Sequence, residues 1–194
     1  MRLCALCAGA IGLAACASAP PKTPPASAPG TFTQTLTVCP GGGVSNAPKV
    51  DSRRQVVGFA PLTRVSGAIL ARAPVGGCVS SGFGQRRGGA GRIHKGVDLY
   101  TRTPAPVYAG GDGVVSEIGV QNGYGKVVVI RHNNRVSTRY AHLSAFAPGL
   151  RRGARVRMGE RIGTTGRTGN ATAVHLHYEI RVGGAPKNPL TVGD

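Results

Sequence analysis

Short runs of β-branched residues, separated by glycine and other turn-forming residues, fill the second half of the chain. Residues 113–118 are bounded by glycine and predict one strand, and the longer run at residues 126–132 predicts a central strand. Asn133 and Asn134 predict a turn, because asparagine tolerates the left-handed backbone. Residues 135–142 then predict a returning strand, so the two runs should form a hairpin. No helical repeat or heptad pattern is visible in the sequence.

Residues 174–182 show the clearest alternation of apolar and polar positions in the chain. The apolar positions are Val174, Leu176, Tyr178 and Ile180, and the polar positions between them are His175, His177, Glu179 and Arg181. A period of two places the two sets on opposite faces of a strand. The apolar set should therefore face the core, and both histidines should project together from the other face.

The overall pattern predicts an all-β domain with mainly antiparallel sheets. The 31 glycines and 14 prolines fall largely between the β-branched runs, which indicates many tight turns. A length of 194 residues suits one domain with targeting and linker sequence. We assign residues 78–194 to this domain. Residues 31–77 contain only short apolar runs and predict a segment that wraps the domain with some strand or one helical turn.

The amino terminus has the form of a secretory signal peptide. Residues 1–15 begin with a charged Arg2, continue with an apolar stretch too short to span a bilayer, and end in small residues. The segment stops at Cys16 in a Leu-Ala-Ala-Cys sequence that resembles the bacterial lipobox, in which the cysteine is acylated after signal removal. The alternative is an ordinary signal peptide with an incidental cysteine. By the same resemblance, Ala17 favours sorting to the outer membrane, facing the periplasm. The composition of residues 16–30, rich in proline and alanine, predicts a disordered tether.

The charge of the chain points to an anionic partner. Lysine and arginine number 24 against 7 acidic residues, for a formal net charge of +17. Nucleic acid, anionic lipid and cell wall are all candidates on charge alone. The absence of tryptophan, with only five tyrosines and four phenylalanines, argues against a platform that stacks bases. A secretory address also argues against nucleic acid. An anionic partner in the cell envelope and a solvated basic surface with no specific partner then both stay open.

The five cysteines fit an oxidising compartment. Cys4 and Cys7 would leave with the signal peptide, and Cys16 would carry lipid. Cys39 and Cys78 then remain as an even pair, for which a disulfide is favoured and two free thiols are the alternative. Such a bond would tie the upstream segment to the domain.

Four of the five histidines fall in three clusters. In the first cluster, His94 precedes Asp98 by four positions, and on an extended chain these positions share a face. The second cluster is His142, in a Tyr-Ala-His-Leu sequence. The third is the pair His175 and His177, which lie side by side on one face of a strand.

These side chains are suited to zinc. A catalytic zinc site has three protein ligands from nitrogen, sulfur or oxygen donors and keeps one position for water. His94, Asp98 and one histidine of the third cluster supply three ligands, and two further histidines remain to orient water and move protons. The fifth histidine, His132, ends a predicted strand, and we expect it to be a structural hydrogen-bonding residue beside the turn.

Residues 81–190 resemble the catalytic domain of the lysostaphin/LytM-type zinc endopeptidases. The motifs H-x-x-x-D, Y-x-H-L and H-L-H occur in that family's order, and the family's connecting phrases stand between them as Ala105-Pro106-Val107, Gly123-Tyr124-Gly125, Ile162-Gly163 and Asn188-Pro189. The resemblance implies a β-sandwich-like fold with one Zn²⁺ per domain, held by His94, Asp98 and His177. It implies His142 and His175 as the catalytic histidines.

The resemblance also brings departures and one further candidate. Arg86 occupies a recurring arginine position near the cleft, where a substrate contact and a packing or solvated role are both open. The family commonly has Gly-Pro where Ala173 and Val174 stand, and glycine in the hairpin turn where Arg135 stands. These positions bear on the shape of the groove and remove no ligand.

The function implied is zinc-dependent hydrolysis of the peptide cross-links of bacterial peptidoglycan. In a Gram-negative envelope the bond is usually the one from D-alanine to diaminopimelate, whereas other members of the family cut glycine bridges. We expect peptidoglycan as the substrate, contact with a membrane through the lipid anchor and no nucleic-acid partner, and the oligomeric state stays open. The alternative is a non-catalytic activator of cell-wall amidases. Relatives of that kind can lose their zinc ligands, and this chain retains every ligand and both catalytic histidines.

Overall fold

The computed structural model describes residues 32–41, 43–85 and 93–194. The predicted signal peptide, Cys16, the tether and Arg86 all lie outside these residues. Within these residues the protein has fifteen strands and no helix, so they contain no helix that could cross a membrane. The strands are β1 Thr37–Val38, β2 Leu62–Val65, β3 Ala68–Ala71, β4 Cys78–Ser81, β5 Gly84–Gln85, β6 Ile93–His94, β7 Val97–Tyr100, β8 Pro106–Tyr108, β9 Gly113–Gln121, β10 Gly125–Arg131, β11 Val136–Phe146, β12 Arg155–Val156, β13 Arg161–Thr165, β14 His175–Val182 and β15 Ala185–Lys187.

Eleven of these strands form one sheet. Its main path runs β1-β4-β7-β14-β11-β10-β9-β12, with β13 paired to β11 and β8, and β15 paired to β14. The strand pairs are antiparallel except β1 with β4, which is parallel. Two small hairpins, β2-β3 and β5-β6, stand apart from this sheet. The predicted all-β, mainly antiparallel fold is confirmed.

The predicted central hairpin is present as β10 and β11. The Asn133 side-chain oxygen accepts hydrogen bonds from the backbone N–H groups of Arg135 and Val136, each at 2.9 Å, which closes the turn. Strand β11 continues four residues beyond the predicted end at His142, to Phe146, and its extra length pairs with β13. The first predicted strand is also longer, because β9 runs on to Gln121.

Strand β14 is buried on both faces. Leu176, Tyr178 and Ile180 have no exposed surface and join the main core, as the alternation predicts. His177 and Glu179 on the other face are buried too, at 5% and 0% exposure. The reason is that this face forms the bottom of the cleft described below, where the Tyr124 and Arg139 side chains lie against Glu179.

Residues 32–77 share the sheet and the core with the later strands. Strand β1 pairs with β4, and Leu36, Val38 and Leu70 pack into the main core. A disulfide joins Cys39 to Cys78, with 5.0 Å between their Cα atoms. We expected some strand or one helical turn in this segment, and its described residues form the strands β1, β2 and β3.

His132 makes two hydrogen bonds at the end of the hairpin. Its Nδ1 lies 2.7 Å from the Asp112 carbonyl oxygen and its Nε2 lies 2.8 Å from the Thr138 hydroxyl. A carbonyl only accepts, so Nδ1 carries the hydrogen. Burial lowers the pKa of His132, and the Asp112 carbonyl opposes this effect only in part. The neutral ring therefore has a structural role, consistent with its position outside the three histidine clusters.

We expect His132→Ala to lower the free energy of unfolding by about 1–3 kcal/mol, because both hydrogen bonds are lost and a polar partner is left unpaired. Since the folded state disfavours the charged ring, wild-type stability should fall as pH drops below about 6.5, and the variant should lose that part of the pH dependence. Urea unfolding at several pH values measures both effects. An unfolding midpoint equal to that of the wild type at pH 7 would contradict the structural role.

Candidate metal centre

Two neighbouring strands and a short hairpin bring three ligand side chains together. Asp98 on β7 is paired directly opposite His177 on β14, so both side chains project from the same face of the sheet. His94 ends β6, and only Lys95 and Gly96 separate it from the start of β7. Gly96 makes this close passage possible, because a Cβ there would lie 2.2 Å from the Tyr178 carbonyl oxygen. Any larger residue between the two ligands would therefore clash with the backbone of β14.

The ligand atoms form a small, nearly equilateral triangle. His94 Nε2 lies 3.0 Å from Asp98 Oδ1 and 3.1 Å from His177 Nδ1, and His177 Nδ1 lies 2.8 Å from Asp98 Oδ1. Donors bonded to one tetrahedral zinc at about 2.0–2.1 Å would lie roughly 3.3 Å apart, close to the observed spacing. All three residues are buried. Two imidazoles and a carboxylate are a ligand set found in catalytic zinc sites, so the residues fit this metal.

The orientation of the His94 ring is fixed from outside the triangle. Its Nδ1 lies 2.7 Å from the Gly82 carbonyl oxygen and 3.3 Å from the Ser81 hydroxyl. The carbonyl can only accept, so Nδ1 donates and Nε2 presents its lone pair to the centre. Gly82 is itself held by the upstream segment, since its N–H donates to the Ser45 carbonyl oxygen at 2.8 Å.

Gly82→Ala should disturb this support. A Cβ at Gly82 would lie 1.8 Å from the Asn46 carbonyl oxygen, so the loop or the end of β4 must move, and the carbonyl that orients His94 moves with it. We expect lower thermal stability and weaker zinc binding, measured by melting and by chelator competition. Gly76→Ala is the matched control, because a Cβ there has no heavy atom within 4 Å. Equal zinc affinity for the two variants would show that the contact between Gly82 and the upstream loop does not support the metal site.

His142 and His175 face each other beside the triangle, with ring centroids 4.8 Å apart. His142 Nδ1 lies 2.8 Å from the Thr168 carbonyl oxygen, and His175 Nδ1 lies 2.9 Å from the Ala173 carbonyl oxygen. Each Nδ1 therefore carries a hydrogen, and each Nε2 is left as a proton acceptor. His175 Nε2 is 3.7 Å from Asp98 Oδ1, which places the pair next to the ligand set.

The electrostatics of His142 favour the neutral ring. Burial lowers the pKa of His142 to about 4; the Thr168 carbonyl opposes the shift, and the neighbouring His175 and His177 add to it. Its backbone has φ of 61°, a left-handed conformation that is strained for a residue with a side chain. Such strain is typical of residues whose direction matters for function.

A cleft of about 640 Å³ opens over these side chains. All five histidine and aspartate residues of the site line it, together with Tyr124, Asn170 and Thr172. Gly43 and Ser45 of the upstream segment form part of its wall. The disulfide-linked segment therefore borders the site.

Residues 92–189 match the model of peptidase family M23, and the chain belongs to this family. The resemblance to the lysostaphin/LytM-type peptidases expected from the motifs is thereby confirmed. The fold and the site define a metallopeptidase-type domain of this family.

Among curated relatives, the chain is 48% identical over 101 residues to the DD-carboxypeptidase/endopeptidase Mpg of Neisseria meningitidis, which covers 52% of this chain and 23% of the relative. It is 42% identical over 118 residues to the peptidoglycan DD-endopeptidase ShyC of Vibrio cholerae, covering 59% and 27%. It is 35% identical over 133 residues to the murein hydrolase activator NlpD of Salmonella dublin, covering 68% and 33%. The matched part is thus a third or less of each relative's length.

Solved structures share the fold. A zinc-containing peptidase from Vibrio cholerae superposes with a TM-score of 0.59 at 33% identity, over 67% of this chain and 40% of that one. The catalytic domain of lysostaphin from Staphylococcus simulans superposes with a TM-score of 0.51 at 31% identity, over 56% and 85%.

The structure brings together five of the residues singled out in the sequence: His94, Asp98, His142, His175 and His177. It also adds a residue to which the sequence analysis gave no role, Glu179, whose carboxylate lies 3.2 Å from the outer nitrogen of His177. The period-two alternation of β14 was the signal, because it places Glu179 on the face that carries both histidines.

Proposed function

We propose that this chain is a zinc-dependent endopeptidase that hydrolyses the peptide cross-links of bacterial peptidoglycan. The observation that carries the proposal is the site itself, in which three buried ligand atoms and two further histidines share one cleft. The names of Mpg and ShyC support the substrate class.

His94, Asp98 and His177 would hold the metal. Zinc bound there supplies Lewis-acid polarisation of the scissile carbonyl and of the attacking water. His142 and His175 keep Nε2 available as a proton acceptor, through the carbonyls that hold their Nδ1 atoms. One histidine of this pair accepts the proton of the water on Nε2. The resulting Nε2–H donates a hydrogen bond to the oxyanion and then passes the proton to the leaving amine, and either His142 or His175 can take this role.

The bond proposed is the one between D-alanine and diaminopimelate. It agrees with the DD-endopeptidase name of ShyC, and a cleft of about 640 Å³ opens over the ligand triangle. We propose in addition a lipid anchor on Cys16 and a place at the outer membrane, facing the periplasm. The basic surface would then hold the enzyme against anionic wall or lipopolysaccharide.

A second candidate is activation of a cell-wall amidase. The match to NlpD, which spans 68% of this chain, favours it. Against it stands the complete set of ligands and both neighbouring histidines.

Digestion of purified cross-linked peptidoglycan separates the two functions. The zinc-loaded protein should release uncross-linked fragments, and a chelator should stop the release. A parallel sample should contain a cell-wall amidase, with and without this protein. Stimulated amidase without cross-link cleavage would overturn the endopeptidase proposal.

A further inference from the structure

Glu179 is a buried acid directly behind the candidate metal centre. Its side chain has no exposed surface, and it lies two residues beyond His177 on the same face of β14. A carboxylate in such a position is costly unless it is paired and hydrogen-bonded. Its partners should therefore indicate what it does.

Four side chains surround the Glu179 carboxylate. Oε1 lies 3.2 Å from His177 Nε2 and accepts a hydrogen bond from the Tyr124 hydroxyl at 2.8 Å. Oε2 accepts from Arg181 Nη1 at 2.6 Å and lies 3.9 Å from Arg139 Nη1. Both guanidinium contacts fall on Oε2, which leaves Oε1 to act on His177 and Tyr124.

The contact with His177 selects one form of its ring. Oε1 accepts from Tyr124 and Oε2 accepts from Arg181, so both carboxylate oxygens act as acceptors and His177 Nε2 must carry the hydrogen. Its Nδ1 then turns a lone pair towards Asp98 and His94, as a metal ligand requires. With the hydrogen on Nδ1 alone, two lone pairs would oppose each other between Nε2 and Glu179.

The hydrogen bond between Glu179 and Tyr124 holds a side chain in the wall of the cleft. Tyr124 lines the cleft, and its ring centroid lies 5.7 Å from that of His177. The Arg139 guanidinium covers the Tyr124 ring at 4.5 Å from its centroid. Glu179 therefore fixes one ligand ring and one cleft side chain through a single oxygen.

We propose that Glu179 is a positioning residue, which holds His177 in the tautomer and orientation that bind zinc and holds Tyr124 against the cleft. The inference rests on the proposed zinc site. The alternative is that Glu179 only neutralises Arg139 and Arg181 within the sheet, and then its loss would change stability without changing the metal site.

The proposal is tested by measuring the zinc affinity of the folded protein in competition with a chelator. Glu179→Ala should weaken zinc binding about 10- to 100-fold, the range typical of an outer-shell partner. Glu179→Gln keeps an oxygen that can accept from His177 Nε2, so it should restore part of the affinity. Glu160→Gln is the matched control, because Glu160 bonds an exposed backbone N–H of Arg157, and its affinity should equal that of the wild type.

Nuclear magnetic resonance of the zinc-loaded protein gives a second readout. The His177 Nε2 hydrogen should exchange slowly with water in the wild type and rapidly in Glu179→Ala. If Glu179→Ala does not fold, the zinc affinity and the exchange rate of the His177 Nε2 hydrogen are measured in Glu179→Gln and Tyr124→Phe instead. These values then decide whether Glu179 positions His177. Folded Glu179 variants with wild-type zinc affinity and slow exchange would overturn the proposal. Because neither readout involves peptidoglycan, wild-type protein that binds zinc but cuts no cross-links would overturn the proposed function and leave this inference standing.

Discussion

Asp98→Ala should abolish zinc binding and hydrolysis together. Asp98 Oδ1 lies 3.0 Å from His94 Nε2 and 2.8 Å from His177 Nδ1, so its removal takes one corner of the triangle and its negative charge. The loss of affinity should exceed the roughly 10- to 100-fold effect of an outer-shell partner. Elemental analysis of the purified variant and digestion of peptidoglycan measure the two effects.

The matched control for this substitution is Asp112→Asn. Asp112 is exposed and its carboxylate accepts from the Met158 N–H at 2.7 Å, outside the ligand set. The control should keep one zinc per chain and full hydrolysis. A folded Asp98→Ala protein with one zinc per chain would remove Asp98 from the ligand set.

His142→Ala should lose hydrolysis and keep zinc. Its imidazole lies beside the ligand triangle, with Nδ1 on the Thr168 carbonyl and Nε2 left to move a proton. Loss of a general acid or base typically lowers the rate about 10²- to 10⁴-fold, and we expect kcat to carry that loss. Steady-state kinetics on a dimeric cross-linked muropeptide, with zinc content measured on the same sample, separate the two properties.

His132→Ala serves as the matched histidine control for this experiment, because His132 bonds Asp112 and Thr138 and does not line the cleft. It should retain the wild-type turnover per folded molecule at a temperature below its melting point. Full turnover by His142→Ala would show that His142 takes no part in proton transfer.

The local parts of the fold could be predicted because strands leave a period-two pattern. The hairpin of β10 and β11 follows from two β-branched runs around Asn133 and Asn134. Strand β14 follows from its alternation, which also placed His175 and His177 on one face. The spacing of four between His94 and Asp98 indicated the right pair, but the expected cause, one extended chain, was wrong. The two residues lie on separate strands, β6 and β7, and the short connection at Lys95 and Gly96 brings their side chains together.

The non-local parts could not be predicted in the same way. Nothing in a local pattern indicates that β1 runs parallel to β4, or that Gly43 and Ser45 reach the wall of the cleft. The contact between Glu179 and Tyr124 joins residues 55 positions apart and depends on three strands being in register. The left-handed backbone of His142 is likewise set by tertiary contacts, since its N–H donates to the Tyr124 carbonyl oxygen.

Hydrolysis of a purified, dimeric cross-linked muropeptide in ¹⁸O-labelled water tests the central claim most directly. The zinc-loaded protein should yield two monomers, and mass spectrometry should find one ¹⁸O in the new carboxyl group of the D-alanine that formed the cross-link. The chelated protein and Asp98→Ala should leave the dimer intact. A dimer that stays intact with the zinc-loaded wild type, or a label that enters at another bond, would contradict the account.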